Sequence, residues 1–224
     1  MGNKPNYQDL KKICPDVPDD LLRAHLERLD QNYFSVFSPE RIKDHLECLA
    51  RLNHGHPIEV LFEDGAGDEV ACTVLAYDYP SEFSLITGIL SSTGFNILSG
   101  NIFTYAHLKG GKNEVPRHTF AELHKSYNAE PTVAKAMVGR LANHPCGKPQ
   151  GTGPAKARRL IIDRFSGVVR AGQDIDAWKI RFKSAIEEVI GYLENGSGDC
   201  MTMARSAVNE MVASCLAGLQ LPAE

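Results

Sequence analysis

Residues 73–105, TVLAYDYPSEFSLITGILSSTGFNILSGNIFTY, are the most patterned stretch of this chain, and their reading decides the fold. The apolar run that ends at Tyr77 predicts a strand over 69–77. Asp78 and Pro80 break it, and apolar residues at helical spacing then predict a helix over about 81–93. Gly94 stands where a helix ends in a left-handed residue, and the run after it predicts a strand over 96–105. Gly88, inside the helix, costs about 1 kcal/mol relative to Ala. The expectation is that it lets the helix lie close to a sheet.

Upstream, Ile58–Phe62 predicts another strand, joined to 69–77 through the turn-rich EDGAGD. Before it, Asp16, Pro18, Asp19 and Asp20 start a helix with Leu22, Leu26, Leu29 and Tyr33 in register. Ser38-Pro39-Glu40 starts a second one that carries Ile42, Leu46, Leu49 and Leu52 and ends at Gly55. Together they read as a helical hairpin. Downstream, Val133, Met137 and Leu141 share a helical register, and the Pro/Gly-rich HPCGKPQGTGPAKARR reads as a loop. RRLIIDRFSGVVR predicts a strand. Asp174 caps a helix whose one face holds Ile175, Trp178, Phe182, Ile186, Val189 and Leu193. Asp199 caps a last helix with Ala204, Val208, Met211, Cys215 and Leu219 on one side.

With the insertion set aside, the order is strand, helix, strand, strand, helix. That is most of a ferredoxin-like βαββαβ unit, an α+β fold with helices on one face of an antiparallel sheet. Its fourth strand is missing after Leu193. Either Ile58–Phe62 takes that edge or the last helix covers it, and an exposed edge invites a partner strand. The expected division is a helical segment over 1–55, the α/β domain over 56–195 with an insertion at about 108–157, and a C-terminal helix over 196–224.

The chain has 224 residues, a formal net charge of -4 and 43% hydrophobic residues, which suits a globular protein and not a dedicated nucleic-acid or membrane binder. No window reaches the roughly 18–20 apolar residues that span a bilayer. The N-terminus lacks the apolar core of a signal peptide, and Asn at position 6 departs from a myristoylation signal. Cys14, Cys48, Cys72, Cys146, Cys200 and Cys215 form no C-x-x-C pair. Most are expected to be thiols in a reducing cytoplasm.

The stretch VLAYDYPSEFSLITGILSSTGFNILSGNIFT resembles the first half of an ACT domain, a regulatory module that binds amino acids. The family pattern is a strand, Asp-x-Pro-Gly, an apolar helix, Gly-x-Asn-Ile and a strand ending in Thr. Asp78, Pro80, Gly94, Asn96, Ile97 and Thr104 match it, and RRLIIDRFSGVV fits the third strand more loosely. The nearest likeness is to the ACT modules of nitrogen-regulatory nucleotidyltransferases such as the uridylyltransferase/uridylyl-removing enzyme. It covers roughly residues 69–106 and 158–194. Ser81 stands where the family has Gly.

The resemblance implies an effector site at the strand-to-helix turn, with Asp78, Pro80, Ser81, Glu82 and Phe83, and at Asn96, Ile97 and Leu98. Helix-start N–H groups suit a carboxylate, and Asp78, Glu82 or Asn96 an ammonium or amide. The bland alternative has Asp78 capping the helix and Asn96 easing a turn.

No other motif completes a catalytic or metal site. His54-Gly55-His56 has no neighbouring acid or thiol. Cys146 lies between His144 and Lys148 with nothing to orient it. NGSGD has no Lys after it and no strand before it, as a phosphate loop requires. Residues 135–159 hold six Lys/Arg and no acid, yet Phe165, Phe103 and Tyr105 lack the context of an RNA-stacking sheet. The expectation is therefore a cytoplasmic, non-catalytic module without cofactor or metal. It senses a small effector, an amino acid by its resemblance, pairs as a homodimer, and controls an enzyme or further domains of a longer chain in nitrogen or amino-acid metabolism. The alternative is a ligand-free dimerisation scaffold, and behind it a nucleic-acid-binding domain that would act through residues 135–159.

Overall fold

The computed structural model describes residues 4–106, 158–196 and 199–218. In chain order these form α1 (Tyr7–Ile13), α2 (Asp19–Arg28), α3 (Gln31–Val36), α4 (Pro39–Arg51), β1 (Ile58–Asp64), β2 (Glu69–Tyr77) and α5 (Glu82–Ser92). β3 (Phe95–Thr104), β4 (Leu160–Val169), α6 (Ile175–Asn195) and α7 (Cys200–Ala217) follow. The expected helix at 133–141 and the loop that follows it lie outside the described residues up to position 157. Among the described residues no helix is long and apolar enough to cross a membrane.

The four strands form one antiparallel sheet in the order β1-β2-β4-β3. The edge beside β2, left open after Leu193, is filled from the N-terminal side by β1. The last helix does not cover it; α7 lies on α5 and α6. Gly88 is part of that contact. A Cβ there would stand 2.7 Å from Val208 Cγ1, so Gly88 admits α7 rather than bringing α5 down onto the sheet.

Helices cover both faces. Val70, Cys72, Val74 and Ala76 of β2 pack against α5 and α6, whose Ile86, Ile89, Trp178, Phe182 and Ile186 are fully buried. Leu75, Phe103, Tyr105 and Ile162 face the other way, under Leu22, Tyr33, Phe34 and Leu46 of the N-terminal helices. This explains the unbroken apolar run of β2, since a strand buried on both sides has no polar face to alternate. The expectation of one covered face is corrected accordingly.

The N-terminal segment is not a hairpin of two helices. The helix expected through Tyr33 ends at Arg28; Leu29 is extended and Asp30 caps a new helix, its carboxylate accepting the Tyr33 N–H at 3.2 Å. The break turns Tyr33 and Phe34 toward the sheet. Ser38 starts α4 as expected, accepting the Arg41 N–H at 3.4 Å, and Asp174 caps α6 at 2.7 Å. Asp199 makes no side-chain cap bond. Gly94 has φ +89°, the left-handed end that its position required.

β3 carries a bulge at Leu98: Ile97 pairs with Gly167 and Ser99 with Ser166. One extra residue reverses the side-chain alternation beyond it. Phe95 and Ile97 therefore face α5 and α6, while Phe103 and Tyr105 face the N-terminal helices. Gly167 sits opposite the bulge, where a Cβ would fall 2.1 Å from the Asn96 carbonyl oxygen and 2.9 Å from the Phe95 ring. Gly167→Ala must push two strands apart, and urea denaturation should show a loss of about 3 kcal/mol. A loss under about 1 kcal/mol would mean the strands part easily there.

Candidate functional site

The turn between β2 and α5 is built as the sequence suggests, but its acids are engaged by the protein. The Asp78 N–H donates to the Arg159 carbonyl at 2.9 Å, and its carboxylate meets Arg159 Nε at 3.2 Å. Asp78 thus ties the turn to the start of β4 and is not the cap of α5. Glu82 is buried, and its carboxylate accepts the Tyr79 N–H. Pro80 and Ser81 are half-exposed, and Phe83 packs against Phe165 with ring centroids 6.1 Å apart.

Ser81 has φ +61° and ψ 12°, and it is the only non-glycine with positive φ among the described residues. A side chain there costs about 1–2 kcal/mol. As the N-cap of α5 it makes no side-chain cap bond. Its backbone adopts the left-handed conformation that a glycine would take without strain.

Asn96, Ile97 and Leu98 lie elsewhere. Tyr77 pairs with Leu160 and Asn96 with Val168, so eight residue steps along β4 separate the two halves, roughly 27 Å. Within one chain the structure does not bring them together. Asn96 is exposed, Ile97 packs under the helices, and Leu98 is 58% exposed at the bulge. Asn96 lines an open cavity of about 630 Å³ at its end of the sheet, with Asp68, Ser91, Phe95, Val168 and Arg170.

Beside the turn, sequence reasoning missed a buried polar cluster. Arg158 binds Glu194 through both terminal nitrogens, at 2.9 and 2.8 Å, and both side chains are almost fully buried. The Tyr79 hydroxyl donates to the same carboxylate, and His54 Nδ1 contacts it. The Arg158 guanidinium lies 3.6 Å from the centroid of the Tyr77 ring, whose hydroxyl donates to the Leu52 carbonyl at 3.1 Å. Burial opposes the charge on Glu194, but the bonds from Arg158, Tyr79 and His54 outweigh it and hold its pKa below the usual carboxylate value. The cluster joins positions 36 to 140 residues apart, so no local pattern announces it.

The same contacts revise other readings. Acids do meet the histidine pair, Glu194 at His54 and Glu59 at His56 (3.0 Å), but separately; no metal-holding group of three occurs among the described residues. Arg158 and Arg159, at the end of the basic stretch, are ion-paired, and the rest of that stretch with Cys146 lies outside the described residues. Phe103, Tyr105 and Phe165 are buried, so they offer no stacking surface. Cys14, Cys48 and Cys72 are buried free thiols, and Cys215 is a half-exposed one; burial pushes the Cys72 thiol up to about 12.

Compared with known proteins, the chain matches no protein-family model and no curated protein.

Proposed function

We propose that this chain is a regulatory module of ACT type that senses a small effector, an amino acid by that resemblance, and controls a partner or covalently linked enzyme of nitrogen or amino-acid metabolism. The observation that carries the reading is Ser81. A strained, uncapped helix start persists only where the surroundings over-determine it, and such outliers gather at functional sites. The run β2-α5-β3-β4-α6, with β4 between β2 and β3, is consistent with a ferredoxin-like βαββαβ unit whose last edge is supplied by β1.

The distance between the turn and Asn96–Leu98 gives the module a reason to pair. β3 is an edge strand, ten residues long, with Leu98 exposed on it. Two copies joined antiparallel along β3 set the Asn96–Leu98 end of one beside the Thr104 end of the other, the end that holds Ser81. The effector then sits between copies and favours one packing of the pair, which is the signal passed to the enzyme.

The engagement of Asp78 and Glu82 favours the second reading, a scaffold that dimerises and binds nothing. Thermal unfolding of the full chain with each L-amino acid at millimolar concentration separates the two. A ligand at 100 times its Kd adds about 2.7 kcal/mol, a rise of a few degrees, and Ser81→Arg should abolish it. No shift with any amino acid would leave the scaffold.

A further inference from the structure

We propose that the layer between α4 and the paired strands β2 and β4 holds a binding site for a single inorganic anion of halide size, bound by His45, Thr73 and Arg164. Three buried polar atoms on this face, His45 Nε2, Thr73 Oγ1 and Arg164 Nε, have no hydrogen-bond partner among the described residues. The His45 and Thr73 side chains are 0% and 1% exposed. Buried polar groups are costly when unpaired, and native folds pair nearly all of them. Thr73 and Arg164 stand opposite each other in the β2–β4 register. Both point toward the N-terminal helices, because Leu75 and Ile162, two residues along each strand, pack there. α4 brings His45 over them. Arg41, one helical turn before His45, has its Nε 3.5 Å from Glu63 Oε2, and Arg164 Nη2 lies 3.6 Å from the same oxygen. The charges of Arg41 and Arg164 both bear on the His45 ring.

The chemistry of the three atoms selects the ligand. The Tyr33 hydroxyl, the stronger acid of the pair, donates to His45 Nδ1 at 2.8 Å, so the neutral ring carries its proton on Nε2. The Thr73 hydroxyl and the Arg164 Nε–H are donors as well. A water molecule accepts two hydrogen bonds through its lone pairs and leaves one donor unmet, whereas a spherical anion accepts all three. The guanidinium supplies the charge that makes those bonds strong. Each of the three atoms is shut off from solvent, which suits a single-atom ion and leaves no room for a polyatomic oxyanion. Arg41 and Arg164, whose side chains are partly exposed, form the entrance, and Glu63 balances them there at ion-pair rather than hydrogen-bond distance. None of these residues belongs to the Asp78–Phe83 turn or to Asn96–Leu98, so the site does not rest on the effector reading.

Thermal unfolding of the full chain at constant ionic strength tests it, with sodium chloride or bromide replacing sodium gluconate in steps. The expected result is a rise in Tm of a few degrees that saturates with either halide. Thr73→Val keeps the side-chain shape and deletes one donor, so it should fold and lose the rise. Arg164→Lys keeps the charge but not the Nε–H, and should weaken halide binding about tenfold. In an amide-resolved NMR titration, bromide should shift residues 45, 73 and 164 with one common midpoint. A halide response equal in the wild type and Thr73→Val would overturn the site. So would no response to either halide, since water would then serve the three atoms. A saturating response to sulfate without one to chloride would overturn it too, because the site would then be open and larger than a halide.

Discussion

Between pH 7 and pH 5 the chain should lose about 4 kcal/mol of folding stability, from two histidines. His25 and His45 are fully buried between the N-terminal helices and the sheet. His25 Nδ1 bonds the Tyr105 hydroxyl at 2.6 Å and His45 Nδ1 the Tyr33 hydroxyl at 2.8 Å, while neither Nε2 atom has a hydrogen-bond partner among the described residues. Burial is the main cause that lowers both pKa values to about 3; His45 and Lys4 add to it at His25, and Arg41 and Arg164 at His45. Both imidazoles are thus neutral in the fold, and their unfolded pKa is about 6.5. The unfolded chain binds more protons between those values, so stability is complete above about pH 6.5 and falls toward pH 3, each histidine adding about 1.4 kcal/mol per unit. The ion-paired Glu59 and Glu194 have lowered pKa values and stay charged above pH 5. Urea midpoints at pH 7 and 5 should therefore differ widely in the wild type and much less in His25→Gln/His45→Gln. A wild-type midpoint that does not move would mean that the imidazoles find a way to carry charge.

Glu194→Ala should cost about 3–5 kcal/mol, because it strands a buried guanidinium. Arg158 is 4% exposed and held between the tyrosine rings and the carboxylate, so without Glu194 its charge has no counterpart there. Tyr79 and His54 lose an acceptor in the same step. The double variant Arg158→Met/Glu194→Met should cost far less than Glu194→Ala, since an apolar pair removes the charge as well as its partner. A double-mutant cycle by urea denaturation measures the difference. If Glu194→Ala costs under about 1 kcal/mol, the guanidinium reaches water and the pair behaves as a surface bridge.

The elements of the sheet and its two crossing helices were legible because each has a local cause. The period of the apolar residues, the break at Asp78 and Pro80, and the left-handed end at Gly94 fall within a few residues of one another. The break at Leu29 was not, because Leu22, Leu26, Leu29 and Tyr33 keep a helical register whether or not Asp30 opens a new cap. The bulge at Leu98 was hidden too; it depends on what Gly167 allows across the strand pair. The engagement of the turn's acids was not visible in the sequence: Asp78 and Glu82 look available until Arg159 and the Tyr79 N–H are placed beside them.

Sequence alone determined the secondary structure around 73–105 and the succession of strands and helices, since turn chemistry and apolar period act between near neighbours. Only the tertiary structure decided that β1 closes the sheet, that both faces are covered, that Ser81 bears the strain, and that Tyr79, Arg158, Glu194 and His54 meet. Those depend on packing and charge between residues far apart in the chain, where excluded volume and desolvation, not local preference, choose the partner.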